Sequence, residues 1–366
     1  MASSPWCWSP TLSTAHFRNL ADATIDLCEG VNVLTGANAQ GKTSVLEALY
    51  VAATSHSFRT FRTFETIAHG ASQSLVSSEI RSRVDDIGTH MKCTISRKGR
   101  SLFVDDKKPK TIESYVRICP VLVLQPNQSL PIDGPPTRRK LIDRLVLWDP
   151  SSEGYLRLLS DYRHALSQRR EILRSRRTSG ADLDAFEDVL TSQSDEIWQR
   201  RQSAMAHFCA YFPEQIAMLS GGSMACDVQY RRRPEAGEEM RSLLHDRREL
   251  DTRMQRTSVG AHLDDLHFRT PLGPAAVNCS QGQLRMLELA ARFTERLWLE
   301  KHERSAILLL DDATGVLDAH HLAKLAELLA NHRGQVLLST TEKHAAFARA
   351  ADRLFVVHSG HVKIAH

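Results

Sequence analysis

Apolar residues in this chain gather in short runs divided by polar turns, and the spacing within each run predicts its element. Glu29-Gly30-Val31-Asn32-Val33-Leu34-Thr35 is rich in β-branched residues and predicts a strand, while Ser44-Val45-Leu46-Glu47-Ala48-Leu49-Tyr50 predicts a helix. Further short apolar runs at 91–96, 102–104, 121–124, 307–310 and 336–341 predict strands. Leu284, Leu287 and Ala291 fall on one helical face in a stretch with few breakers. Residues 155–177 predict a long amphipathic helix, and Ser179-Gly180 separates it from a second one. The pattern predicts an α/β core made of residues 1–125 and 255–366, interrupted by a mostly helical lobe at 126–254. The lobe does not sustain enough heptads for a long coiled-coil arm.

The join between the first strand and its helix carries chemistry. Gly36-Ala37-Asn38-Ala39-Gln40-Gly41-Lys42-Thr43 has the form G-x-x-x-x-G-K-T. A loop there turns backbone N–H groups inward as a nest for phosphate oxygens, backed by the positive end of the helix that Thr43 and Ser44 begin. Gly36 and Gly41 allow close approach, Lys42 is placed for the β- and γ-phosphates of ATP, and Thr43 offers a hydroxyl to Mg²⁺.

Ile307-Leu308-Leu309-Leu310 ends in Asp311-Asp312, 268 positions after Thr43. Beside a phosphate loop, Asp311 is placed to hold Mg²⁺ directly or through water, and Asp312 to polarise the attacking water. Asp312 is one methylene shorter than a Glu, so hydrolysis is expected to be slow. Ser280-Gln281-Gly282-Gln283 opens the helix at 284 and makes a second anion site of hydroxyl, amides and dipole. Two cradles for one nucleotide are redundant within a protomer, so Ser280, Gly282 and Gln283 are read as capping ATP bound to a partner subunit, as in ABC-type ATPases. Leu219-Ser220-Gly221-Gly222 imitates such a signature, but a strand-like stretch follows it and it is read as a turn. Thr341 ends a strand that would meet the γ-phosphate, with His344 a weaker candidate. Gln125 is either a residue touching Mg²⁺ and water or a plain loop residue. Arg18 is either a contact to the α-phosphate or adenine side or a surface arginine.

Taken in order, these motifs resemble the RecF family, relatives of the SMC and Rad50 heads. The resemblance begins at Phe17-Arg18-Asn19-Leu20 and continues through Ser57-Phe58-Arg59-Thr60 and Ile67-Ala68-His69-Gly70. It covers Pro135-Pro136-Thr137-Arg138-Arg139-Lys140-Leu141-Ile142-Asp143, Gly260-Ala261-His262-Leu263-Asp264-Asp265-Leu266 and Ser280-Gln281-Gly282-Gln283. The resemblance implies an ABC-type P-loop ATPase head, ATP-dependent homodimers, double-stranded DNA near single-strand gaps, and RecO, RecR and RecA as partners in a cytoplasmic repair pathway. It implies a weak, DNA-stimulated ATPase with Lys42, Asp311, Asp312 and Gln125 as catalytic residues. The chain departs from the family pattern at Leu263, where the family has Arg, and at Gly315-Val316-Leu317-Asp318, where only Asp318 of the usual acids remains. At Pro126-Asn127-Gln128-Ser129-Leu130, two acids of the family's segment are gone.

With 42% apolar residues in 366, the chain can bury a large core, and no apolar run approaches the length of a membrane span. The start lacks the basic and apolar regions of a signal peptide, and seven scattered cysteines without a C-x-x-C pair suit a reducing compartment. Net charge is only +4, yet residues 138–177 hold 11 Lys/Arg against 5 Asp/Glu. Arg138, Arg139, Arg169, Arg170, Arg174, Arg176 and Arg177 are read either as a track for duplex phosphates or as a solvated helix face. The aromatic residues there do not alternate with these arginines as a platform for stacked single strands. Two other functions stay open: a non-hydrolysing, nucleotide-gated DNA clamp, and an ABC-type transporter subunit, which the signature spacing disfavours.

Overall fold

The structure, a computed structural model, describes residues 7–82, 88–126, 128–175, 180–235, 237–312, 319–330, 334–341 and 345–365. The chain runs β1 (Cys7–Ala15), β2 (Ala23–Asp26), β3 (Val31–Thr35), α1 (Lys42–Thr54), β4 (Gln73–Ser82), β5 (Thr89–Ser96), β6 (Gly99–Val104), α2 (Ile112–Val116) and β7 (Val121–Leu124). It continues through α3 (Pro135–Trp148), α4 (Tyr155–Ser175), α5 (Gly180–Leu219), β8 (Asp227–Arg231), α6 (Met240–Asp246), α7 (Arg248–Met254), β9 (Asp265–Thr270), β10 (Gly273–Pro274) and α8 (Ala275–Asn278). It closes with α9 (Gln281–Lys301), β11 (Ile307–Leu310), α10 (Ala319–Ala330), β12 (Val336–Thr340), α11 (Ala345–Ala350), β13 (Arg353–His358) and β14 (His361–Ile364).

Two units form. The first contains residues 1–128, 218–222 and 280–366. Its sheet in the order β14-β13-β3-β12-β11-β7 is parallel except for the β13–β14 pair. Strands β3, β7, β11 and β12 are buried at every position, as expected where both faces of a sheet are covered. The antiparallel sheet β2-β1-β4-β5-β6 is the unit's second layer. Helix α1 packs against strands of both sheets and is buried nearly all round, so its Val45, Leu46, Leu49 and Val51 join the core cluster with Leu309, Leu337, Val76 and Met91.

The second unit contains residues 129–217 and 223–279. It is mostly helical but holds its own antiparallel sheet, β10-β9-β8. The return to the first unit therefore comes at Ser280, not near 255, because β9 and β10 pair with β8 rather than with the parallel sheet. Residues 220–222 form the turn that the sequence suggested.

Buried charge organises this unit. Arg201 donates to Asp264 Oδ2 at 2.6 Å, Asp143 Oδ1 at 2.6 Å, the Ala261 carbonyl at 2.8 Å and the Tyr155 hydroxyl at 3.1 Å. Asp264, fully buried, also accepts from Trp198 Nε1 and from the Tyr230 hydroxyl. Arg169, equally buried, bridges Asp251 at 2.7 Å and Glu187 at 3.0 Å. A buried charge persists only where such partners replace its water.

Candidate nucleotide site

The loop between β3 and α1 is shaped by its glycines and held from outside. Gly36 turns at φ 150°, and a Cβ there would stand 2.3 Å from the Val357 carbonyl oxygen on β13. Ala39 and Gly41 follow with φ of 63° and 114°. Asn19 Nδ2 donates to the Ala39 carbonyl at 3.1 Å, and Ser44 Oγ fixes that side chain by donating to Asn19 Oδ1 at 2.8 Å. Gln40 is gripped twice, its Oε1 by the Ser359 amide at 2.6 Å and its carbonyl by the Gly360 amide at 2.9 Å. Ala37 and Asn38 are exposed at the mouth. Lys42 Nζ donates across the loop to the carbonyls of Gly36 at 2.7 Å and Ala37 at 2.8 Å. Burial lowers its pKa, and the carboxylates of Asp312 and Asp311 oppose that shift.

The acid strand meets this loop through an intermediary. β12 lies between β3 and β11. Thr43 Oγ1 donates to Asp311 Oδ1 at 2.8 Å, and Ser339 Oγ on β12 donates to the same oxygen at 2.8 Å. Ser339 Oγ in turn accepts from the Asp312 amide at 2.9 Å, and Asp312 sits at φ 45°. Burial raises the Asp311 pKa, with the Thr43 and Ser339 hydrogen bonds pulling it back. One carboxylate and one hydroxyl, both hard oxygen donors, suit Mg²⁺, which keeps several of its waters.

Gln125 follows β7, whose Leu124 is in register with Leu310, so Gln125 is Asp311's neighbour across the sheet edge. Its side-chain amide donates to Gln128 Oε1 at 3.0 Å. Thr341 follows Thr340, which pairs with Thr35, and is exposed beside the start of the loop. Ser280 caps α9 in a reciprocal box, its Oγ accepting from the Gln283 amide at 3.3 Å and its own amide donating to Gln283 Oε1 at 2.8 Å. Ser280 and Gln283 are exposed and Gly282 is half-buried, so the helix N-terminus is presented outward.

Sequence reasoning missed Asn19, Ser339 and Arg285. Ser339 had a signal, as a polar residue inside a wholly buried strand. Arg285 donates to the carbonyls of both Gln125 and Asp311, tying together the ends of β7 and β11. Burial pulls its pKa down to about 10.

Several expectations change. Arg18 does not face the phosphate loop: its Nε and Nη2 grip Glu47 at 3.0 and 2.6 Å, while Nη1 donates to the Glu65 carbonyl at 2.8 Å. Glu47 is fully buried in the middle of α1, and Arg18, with Ser57 and Arg59, compensates its charge. Of the arginines proposed for duplex phosphates, Arg169 is enclosed by carboxylates and Arg138 is locked bidentately onto Asp265 at 2.6 and 2.8 Å. Arg139 is partly buried and donates to the Asp264 carbonyl at 3.2 Å. Only Arg170 and Arg174 remain exposed among the described members of that set. Arg176, Arg177, Asp318 and His344 lie outside the described residues.

The family model described as RecF/RecN/SMC N terminal domain matches residues 10–365. A "DNA replication and repair protein RecF" from Desulforudis audaxviator is 30% identical, over 96% of this chain and 98% of that protein. A protein of the same name from Lactobacillus delbrueckii subsp. bulgaricus is 31% identical over 94% of each. This chain belongs to the RecF family. Its fold agrees: a solved structure described as RecF-ATP of the RecFOR pathway aligns with a TM-score of 0.88 at 22% identity, over 100% of this chain and 99% of that one. An Smc head domain from Pyrococcus furiosus aligns with a TM-score of 0.59 at 15% identity, over 98% and 96%. The RecF fold is therefore an ABC-type head carrying an inserted lobe. Among the described residues, no helix is long and apolar enough to cross a membrane.

Proposed function

We propose that this RecF-family protein is an ATPase of DNA replication and repair that binds ATP with Mg²⁺, dimerises around it and engages double-stranded DNA near single-strand gaps. The observation that carries this reading is the 2.8 Å hydrogen bond from Thr43 to Asp311, which joins the phosphate loop to the acid strand across 268 residues. Thr43 and Asp311 would hold Mg²⁺, which supplies charge neutralisation at the phosphates. Lys42 exchanges its loop carbonyls for phosphate oxygens, and Ser339 orients Asp311. Asp312 and Gln125 are the groups nearest the sheet edge for orienting water. Ser280, Gly282 and Gln283 of one protomer cap the triphosphate held by its partner, with Thr341 facing the γ-phosphate and Asp318 completing the interface. Exposed Arg170 and Arg174, with Arg176 and Arg177, supply duplex phosphate contacts. RecR, RecO and RecA follow as partners by family membership.

Sedimentation with ATP and Mg²⁺ tests the gate: the wild type dimerises, whereas Lys42→Met and Ser280→Arg stay monomeric. Unchanged dimerisation in both variants removes the mechanism. A second reading, a clamp that binds ATP without hydrolysing it, is favoured by Asp312 in the place of a longer acid. Retained ATP binding with no phosphate release, with or without duplex DNA, selects it.

A further inference from the structure

At the ends of β7 and β11 remote from the nucleotide loop, three segments of the first unit converge. Ile307 stands opposite Val121, and its amide donates to the Pro120 carbonyl at 2.9 Å. Carried two residues back, that parallel register sets Ser305 opposite Cys119. Cys7, the first residue of β1, is fastened to Ser305. Its amide donates to the Ser305 hydroxyl at 2.7 Å and its thiol to the Ser305 carbonyl at 3.4 Å, while the Ser305 hydroxyl lies 3.5 Å from its sulfur. The Cys119 thiol hydrogen-bonds to that same sulfur.

The two thiols are unlike. Cys119 is fully buried, and Cys7 is half-buried. The hydrogen bond from Cys119 does most to lower the Cys7 pKa, with the Ser305 hydroxyl and the Arg304 guanidinium adding to it against burial. Arg304 is held at this corner by donating to the Arg117 carbonyl. Cys119 is shifted the other way, by the same hydrogen bond and by burial. Cys28, Cys93, Cys209, Cys226 and Cys279 are all shifted up, with burial the main cause. Of the seven cysteines, Cys7 is therefore the favoured thiolate nucleophile, and Cys119 stands ready to resolve what forms on it.

We propose that Cys7 and Cys119 are a peroxide-responsive thiol pair, closed to a disulfide by hydroperoxide and reopened by a dithiol reductant. The Cys7 thiolate attacks one peroxide oxygen, the O–O bond breaks, hydroxide leaves, and Cys7 becomes a sulfenic acid. The Cys119 sulfur then attacks the Cys7 sulfur. The S–O bond breaks, and the departing hydroxide takes the Cys119 proton and leaves as water. In sum, two thiols are oxidised to one disulfide while peroxide is reduced to two waters. The new bond clips β1, in the antiparallel sheet, to the entry of β7, the edge strand of the parallel sheet. It so ties together the two layers that α1 packs against.

The test exposes the reduced full chain to a small excess of hydrogen peroxide, blocks the remaining thiols with N-ethylmaleimide and maps unreduced peptides by mass spectrometry. The expected product is a peptide pair joined through Cys7 and Cys119 that dithiothreitol separates. Cys7 reacts at least about tenfold faster than Cys28, Cys209 or Cys279, which are also half-buried. In Cys119→Ser the reaction halts at the Cys7 sulfenic acid, which dimedone labels; in Cys7→Ser, Cys119 stays a free thiol. The wild-type peptide map decides the matter even if a buried serine impairs folding. Oxidation of Cys7 to sulfinic acid with no link to Cys119, or oxidation of the other cysteines as fast as Cys7, overturns the proposal.

Discussion

Replacing Arg201 with Met keeps most of the side-chain volume but removes the guanidinium from the centre of the second unit. Four hydrogen bonds go with it, two of them at 2.6 Å to carboxylates. Asp264 is left fully buried, with Trp198, Tyr230 and the Arg233 amide as its remaining donors. Breaking one side of a buried pair costs about 3–5 kcal/mol, since the orphaned charge cannot regain water. That is a large share of the 5–15 kcal/mol typical of a domain. At an m value of roughly 2 kcal/mol per M, the urea midpoint falls by about 2 M. Trp198 donates to Asp264 and carries Arg232 over its ring at 4.1 Å, so its fluorescence reports on the site during urea unfolding. The cycle with Asp264→Asn decides the cause. Removing both charges costs less than the two single losses added, by about 1 kcal/mol or more. A loss below about 1 kcal/mol for Arg201→Met, or strict additivity, would refute the account of this unit as organised around a compensated buried charge.

Two further outcomes follow from buried groups. Burial holds the His262 pKa at about 4, with its ring between the Tyr162 hydroxyl at 2.9 Å and the Thr257 carbonyl at 3.1 Å. The unfolded chain takes up that proton below about pH 6.5 and the folded one only near 4, so stability is full above 6.5 and declines by about 3 kcal/mol as pH falls to 4. Chemical unfolding at several pH values, with His262→Gln lacking this component, checks it. Arg18→Met leaves Glu47 with Arg59 and Ser57 alone, lowering stability by about 2 kcal/mol while ATP affinity is retained. A tenfold loss of ATP binding with unchanged stability, read by fluorescent-nucleotide titration and thermal unfolding, returns Arg18 to the phosphates.

The nucleotide loop was legible because its chemistry is local: two glycines, a lysine and a hydroxyl fall within eight consecutive residues, Gly36 to Thr43, at a spacing that can be read directly. The acid strand was legible once the loop was known, since four apolar residues ending in Asp311 suit a strand buried on both faces. The fate of the arginines was not. Arg169 and Arg170 are neighbours on α4, yet one is sealed by Asp251 and the other exposed, and that partner lies 82 positions away. The boundary at Ser280 was hidden for the same reason, because β9 chooses β8 across two short helices. Arg18 read as a surface or phosphate arginine because nothing local reveals that the Glu47 carboxylate is buried in the helix it touches.

The excursion that becomes the second unit departs after β7 and comes back through α9 to β11, its neighbour in the sheet. Arg285 staples the exit carbonyl of Gln125 to that of Asp311. Whatever is spliced between those ends, the ends of β7 and β11 are tied by one side chain rather than by the intervening polypeptide, and lengthening a loop costs little once its stems are fixed. Evolution can thus stretch or shrink the appendage while leaving the engine's alignment untouched.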